Sequence, residues 1–198
     1  MPRTSRFVVP LLIACVAVTS GHCSTIRHDR NDADYIALGA LYPSVGLVQT
    51  AAWRGSGTLI DESWVLTAAH VLDDASDVQF EIKGNTFTAV QSVVHEKWDG
   101  DLSKGYDVAL FQIDGLTGVA PTGLYTGTDE IGRISTSVGY GITGDGLSGS
   151  SGNDSTLRAV QNVIDVFWRT PGKTPRAFGM DFDNPLNTND SSWGSSEP

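Results

Sequence analysis

Segments of β type recur along this chain and set its pattern. Runs rich in Val, Ile, Thr and aromatic residues stand at 45–50, 57–60, 64–67, 78–82, 87–95, 108–113, 131–139, 157–168 and 176–182, with clusters of Gly, Asp, Asn and Ser between them. Residues that suit a pleated, half-buried surface, bounded by turn formers, predict strands. The convincing helical turn is short: Ala68 to Leu72, where two alanines open an apolar stretch before Asp73 and Asp74. Tyr35 to Leu41 reads as a short helical or extended arm. Gly and Pro gather between Gly115 and Gly123, the expected seam between two halves. The Gly, Ser and Asp patch from Thr143 to Ser155 predicts an exposed, mobile loop. The fold class expected is all-β, a barrel or a sandwich.

Composition agrees and narrows the partners. Gly numbers 22 against 8 Pro, and charged residues make up 18% of 198. That mixture suits many short strands joined by tight turns and excludes coiled coils. The length allows one ordinary domain or a compact pair of small barrels. The formal charge is −10, which opposes a sequence-independent grip on phosphate backbones and argues against nucleic acid as a partner.

The amino terminus reads as an address. Arg3 and Arg6 precede an apolar run from Phe7 to Val18, followed by Thr19, Ser20 and Gly21. A basic start, a short apolar core and a small-residue exit form a secretory signal peptide, expected over 1–23, with a linker or arm over 24–43. A run this short does not span a bilayer. Export places the mature chain outside the cytoplasm, extracellular or periplasmic. The two cysteines, Cys15 and Cys23, fall within or at the edge of that leader, so the exported domain has no disulfide to expect, which leans toward a bacterial source. Leu12-Ile13-Ala14-Cys15 also resembles a lipoprotein box, which would anchor the chain through an acylated Cys15. Arg27 and Arg30 are either processing sites or solvated linker charges.

Two motifs carry chemistry. In the first, Gly57-Thr58-Leu59-Ile60 and Trp64-Val65-Leu66-Thr67-Ala68-Ala69-His70 deliver a histidine from a strand pair onto a one-turn helix. In the second, Tyr106-Asp107-Val108-Ala109-Leu110-Phe111 sets an acid at the mouth of an apolar strand. A partly desolvated carboxylate there needs a partner, and an imidazole N–H is a suitable one. A histidine whose tautomer is fixed by such an acid can take a proton from a nucleophile.

These residues resemble the chymotrypsin/trypsin-like serine proteases, in which Thr-Ala-Ala-His carries the general base and an Asp-[Ile/Val]-Ala-Leu strand the orienting acid. Residue by residue, the resemblance implies His70 as base and Asp107 as acid. Ser56-Gly57-Thr58-Leu59-Ile60 is similar to the family's Ser-Gly-[Ser/Thr]-Leu-Ile, and Gly139-Tyr140-Gly141 to its Gly-Trp-Gly, although those glycines also suit an ordinary bulge or turn. His95 sits where many members have a histidine, and reads as a surface or packing residue; His22 and His28 belong to leader and linker. The resemblance covers about 44–165 and implies a double β-barrel, peptide or protein substrates and no cofactor.

The family's third element departs. The 198 residues contain no Gly-Asp-Ser-Gly-Gly segment to present a serine and its oxyanion donors. Gly144-Asp145-Gly146-Leu147-Ser148-Gly149 places its serine two positions late, and Ser191 to Ser196 offers hydroxyls without the frame. The residues after Asp107 run out about where members place the nucleophile. The expectation is a protease domain over 44–198 with its first barrel complete and its second incomplete, a fragment without turnover of its own. The alternative is a catalytically inactive secreted relative that binds or acts as a decoy. The family's Ile-Val-Gly-Gly activation sequence is not recognisable around Leu41 to Gly46. Asp181 to Asp190 is dense in oxygen ligands that calcium accepts, but it fails the EF-hand pattern because Pro185 and Leu186 stand where Gly and a ligand are needed, and its residues favour turns unaided. Neither a Cys/His cluster for zinc nor any sign of oligomeric state is legible.

Overall fold

The structure is a computed structural model that describes residues 26–168 and 177–181. The leader with Cys15 and Cys23, most of the candidate calcium segment and the Ser191 to Ser196 tail lie outside the described residues.

The first helix, α1 (Asp32–Gly39), overlaps the segment from Tyr35 expected as a short helical or extended arm, and takes the helical form. Six strands then form an antiparallel closed barrel: β1 (Val45–Gln49), β2 (Arg54–Leu59), β3 (Trp64–Thr67), β4 (Gln79–Ile82), β5 (Asn85–Val94) and β6 (Ala109–Ile113), in the order β1-β2-β3-β6-β5-β4. The ring closes through β1 against β4, with Val48 opposite Phe80. Alternation is the reason these segments become strands with an inside: β6 buries Ala109, Phe111 and Ile113 and turns Leu110 and Gln112 outward, and β4 buries Phe80 and Ile82. Phe80 and Phe111 meet edge to face at 6.0 Å between ring centres, the arrangement their quadrupoles favour. Val48, Leu59 and Val65 complete a core with no solvent exposure. Between β3 and β4, a single turn of helix, α2 (Ala69–Leu72), drops Ala69, Val71 and Leu72 onto that core.

Beyond the barrel the described strands pair only in twos. They are β7 (Ile134–Gly139), β8 (Ile142–Asp145), β9 (Gly149–Asn153), β10 (Arg158–Val163), β11 (Val166–Trp168) and β12 (Ala177–Gly179), joined as β7 with β10, β8 with β9 and β11 with β12. The all-β expectation holds, as does the contrast between a closed first barrel and a partial second.

Three boundaries differ from expectation, each for a local reason. The patch at 143–155 pairs as the hairpin β8/β9 where an exposed, mobile loop was expected, because the Asp145 carboxylate accepts the amides of Leu147 and Ser148 at 2.8 and 2.7 Å and closes the turn. The run at 157–168 breaks in two, because Ile164 leaves β7 to exchange backbone hydrogen bonds with Arg133 and Gly132. The run at 131–139 starts as a strand only at Ile134, since Arg133 is still turned back onto the carbonyl of Glu130.

Polar contacts join the two halves. Arg158 of β10, 6% exposed, forks onto Asp32 of α1 at 2.6 and 2.7 Å and onto Asp154 at 2.9 and 2.8 Å. The guanidinium hydrogen bonds hold both carboxyl groups below the usual carboxylate range.

Candidate active site

His70 and Asp107 are brought together at one end of the barrel. Strand β3 runs toward that end, its Thr67 hydroxyl donating to the carbonyl of Ser56 on β2 at 2.9 Å. The chain then turns into α2, and the burial of Ala69 and Val71 on either side leaves His70 facing outward, one-third exposed. Val71 is packed closely on β2: a Cβ at Gly55 would lie 3.0 Å from Val71 Cγ2. Glycine at 55 therefore lets the hairpin strand approach the helix that carries His70.

Asp107 arrives by a different route. Strand β6 pairs with β3 through Ala109 opposite Thr67, so the residue two positions ahead of Ala109 reaches the start of α2. Asp107 is the centre of a tight turn in which the Val108 amide donates to the Tyr106 carbonyl at 2.7 Å. Tyr106 adopts a φ of 69°, a left-handed conformation rare for a bulky residue. The His95 ring stacks on it at 4.8 Å between centres, with the Lys97 ammonium 5.7 Å above it.

The contact itself uses both oxygens of the acid. The His70 amide donates to Asp107 Oδ1 at 2.8 Å, and His70 Nδ1 lies 2.8 Å from Oδ2. A carboxylate accepts only, so Nδ1 carries the proton in this contact and Nε2 is left with its lone pair outward. The Asp107 side chain is about one-fifth exposed, which weakens water's competition for it. Positioned this way, an imidazole can accept a proton at Nε2 while the acid stabilises the resulting charge.

The other sequence candidates lie elsewhere. Ser148 sits in the exposed β8/β9 turn with its amide bound to Asp145. Among the described residues no serine hydroxyl is hydrogen-bonded to His70 Nε2, and no group of three or more His, Cys, Asp or Glu side chains is placed to hold a metal ion. No helix among the described residues is long and apolar enough to cross a membrane. The Gly139-Tyr140-Gly141 segment docks against the barrel: the Tyr140 amide donates to Ser56 Oγ at 2.8 Å, and that hydroxyl donates to the Tyr140 carbonyl at 3.2 Å. A Cβ at Gly139 would lie 2.5 Å from the same Oγ, so a side chain there would push the Ser56 hydroxyl out of this joint. Burial, with a lesser contribution from Glu81, pushes the Tyr140 phenol above its ordinary value.

One neighbour of His70 escaped the sequence reading. Trp53, at the tip of the β1/β2 hairpin, meets the His70 ring at 6.4 Å between centres and at 86°. Its sequence signal is an aromatic residue in a short turn between two strands, after Ala51 and Ala52.

Comparisons with known proteins come to the same region. A sequence model of the family described as Trypsin matches residues 38–165. A snake venom serine protease, KN5, from Trimeresurus stejnegeri is 29% identical over 120 residues, which cover 54% of this chain and 45% of that protein. The chain thus spans a little under half the length of that curated relative. A solved structure of a collagenase, HL collagenase, shares the fold with a TM-score of 0.54 at 21% identity, over 64% of this chain and 60% of its own.

Proposed function

This chain belongs to the trypsin family, and from that premise we propose that it carries the base and acid of an exported serine endopeptidase. His70 is the general base and Asp107 the residue that orients it. The observation that carries this reading is the pair of 2.8 Å contacts from the amide and Nδ1 of His70 to the two oxygens of Asp107. The amide bond fixes the backbone of His70 and the Nδ1 contact fixes one edge of its ring, which leaves the Nε2 lone pair available to a serine hydroxyl. In the reaction, Nε2 takes the serine proton as the oxygen attacks the scissile carbonyl, and returns it to the departing amine. Asp107 stabilises the imidazolium between those two events.

The serine and its oxyanion donors belong to a Gly-Asp-Ser-Gly-Gly segment that the 198 residues do not include. On this reading the 198 residues alone turn over little or no substrate. Export rests on Arg3, Arg6 and the apolar run to Val18. The second reading, compatible with the same 198 residues, is a trypsin-fold binding protein without catalysis.

Reading the coding DNA past the Pro198 codon in all three frames, then assaying the expressed product on peptide esters, separates the two. The expected result is a Gly-Asp-Ser-Gly-Gly segment, labelling by a fluorophosphonate, and a fall in kcat of about 10⁴-fold or more in His70→Ala. Absence of that segment together with absence of hydrolysis gives the binding protein.

A further inference from the structure

Asp107 restrains His70 from one side only. Its two hydrogen bonds fix the Nδ1 edge and the backbone of the residue, while the rest of a ring that is one-third exposed would be free to rock toward water. Trp53 is a second neighbour of the same ring, 6.4 Å away between ring centres. We propose that Trp53 is a positioning residue for the His70 imidazole, a fixed aromatic wall that holds the ring in the orientation Asp107 requires and limits water's access to the Nδ1–H.

Trp53 is suited to this because its own position is fixed twice. The turn Thr50-Ala51-Ala52-Trp53 is closed by Thr50, whose amide donates to the Trp53 carbonyl at 2.9 Å. The Thr50 hydroxyl oxygen accepts the Trp53 amide at 2.9 Å and the Ala52 amide at 3.3 Å. Both backbone polar groups of Trp53 are therefore satisfied inside the turn, and its φ and ψ are held. The second anchor is the root of the hairpin, where Gly55 lies against Val71, the residue after His70. Hairpin and helix thus move together, and the indole keeps its place relative to the imidazole.

Trp53 is 38% exposed, so most of its surface is covered. Its ring meets the His70 ring near perpendicular, with 6.4 Å between centres. A perpendicular contact resists rotation of the imidazole in a way that a loose apolar neighbour does not, because turning the ring drives its edge into the indole. The inference rests on His70 and Asp107 acting as base and orienting acid, and its test is chosen so that the two can fail separately.

The full chain is labelled with ¹⁵N-histidine, the His70 signals are assigned by loss in His70→Ala, and ring shifts and Nδ1–H exchange with water are followed against pH. Trp53→Ala is expected to speed Nδ1–H exchange about tenfold and move the ring signals toward those of a solvated histidine, with Trp53→Phe restoring most of the effect. Gly55→Ala, which presses the hairpin off Val71, shifts the His70 ring signals in the same direction with the indole still present. In an expressed product that shows hydrolysis, Trp53→Ala lowers kcat about tenfold and leaves KM unchanged. Amide spectra that superpose on the parent show that each variant is folded; should Trp53→Ala not fold, Trp53→Leu, apolar but without a ring, takes its place. If Asp107→Asn alters His70 and the Trp53 variants do not, Trp53 is a surface residue and the proposal fails while the base and acid reading stands. If neither alters His70, both fail.

Discussion

The closed barrel and the paired strands beyond it are built from the same kinds of residues and held by different forces. In the barrel, Phe80, Phe111, Leu59, Val48 and Val65 have no exposed surface, and every strand finds a neighbour on both sides. In the second region the described strands pair in twos, fewer apolar side chains are buried (Tyr35, Ala159 and Ile164), and polar contacts add fixed points: Arg158 between Asp32 and Asp154, and Ser56 against Tyr140. Nondirectional burial rewards the barrel as a whole, whereas a hydrogen-bonded latch acts where it sits. His70 and Asp107 both stand on the barrel side of this division, so their geometry depends on the part of the molecule with the complete core.

The hardest way to break the comparison is to attack the core. Phe111→Ala should cost about 3–5 kcal/mol of stability, seen as a lower midpoint in denaturant for every probe in the barrel, the His70 environment included. A loss confined to the barrel's far strands would contradict a single cooperative core. Next in size is Arg158→Met, which should cost about 1–3 kcal/mol, less than a fully buried pair would because Asp32 and Asp154 are each nearly half exposed and regain water. Hydrogen exchange should quicken in α1 and β10 and stay unchanged in β3 and β6.

The same latch sets a pH dependence. The guanidinium lowers the folded-state pKa of Asp32 and Asp154 below their unfolded values, so their contribution is complete above about pH 4 and fades as pH falls further. Acid titration should therefore quicken exchange in α1 only below about pH 4, and Arg158→Met should abolish that dependence. The smallest expected effect is Ser56→Ala, about 1 kcal/mol for the lost hydrogen bonds to Tyr140, visible as faster exchange of the Tyr140 amide.

What the sequence revealed follows the same division. Strands β3 and β6 were legible because Trp64 to Thr67 and Ala109 to Ile113 are short, mostly apolar runs of strand-favouring residues, and His70 and Asp107 stood out because each lies in a short motif beside such a strand. Hairpin β8/β9 was not, since Gly149 to Asn153 is exposed throughout and holds no apolar residue to set a register. Arg158 was illegible for another reason: its partner Asp32 is 126 positions away, and nothing local to β10 announces a buried guanidinium. Trp53 belongs with these, because a ring contact between a hairpin tip and a helix exists only once the barrel has closed.

The central claim is that Asp107 holds the imidazole of His70 as a base with Nδ1 protonated. Its most direct test is low-field proton and ¹⁵N spectroscopy of the histidine ring in the parent chain and in Asp107→Asn. A strongly deshielded Nδ1 proton is expected on His70 in the parent chain, and it should disappear in the variant, where the 2.8 Å contact to a carboxylate oxygen is lost. A His70 that shows no such proton, and whose ring nitrogen signals are the same with and without the carboxylate, would contradict it.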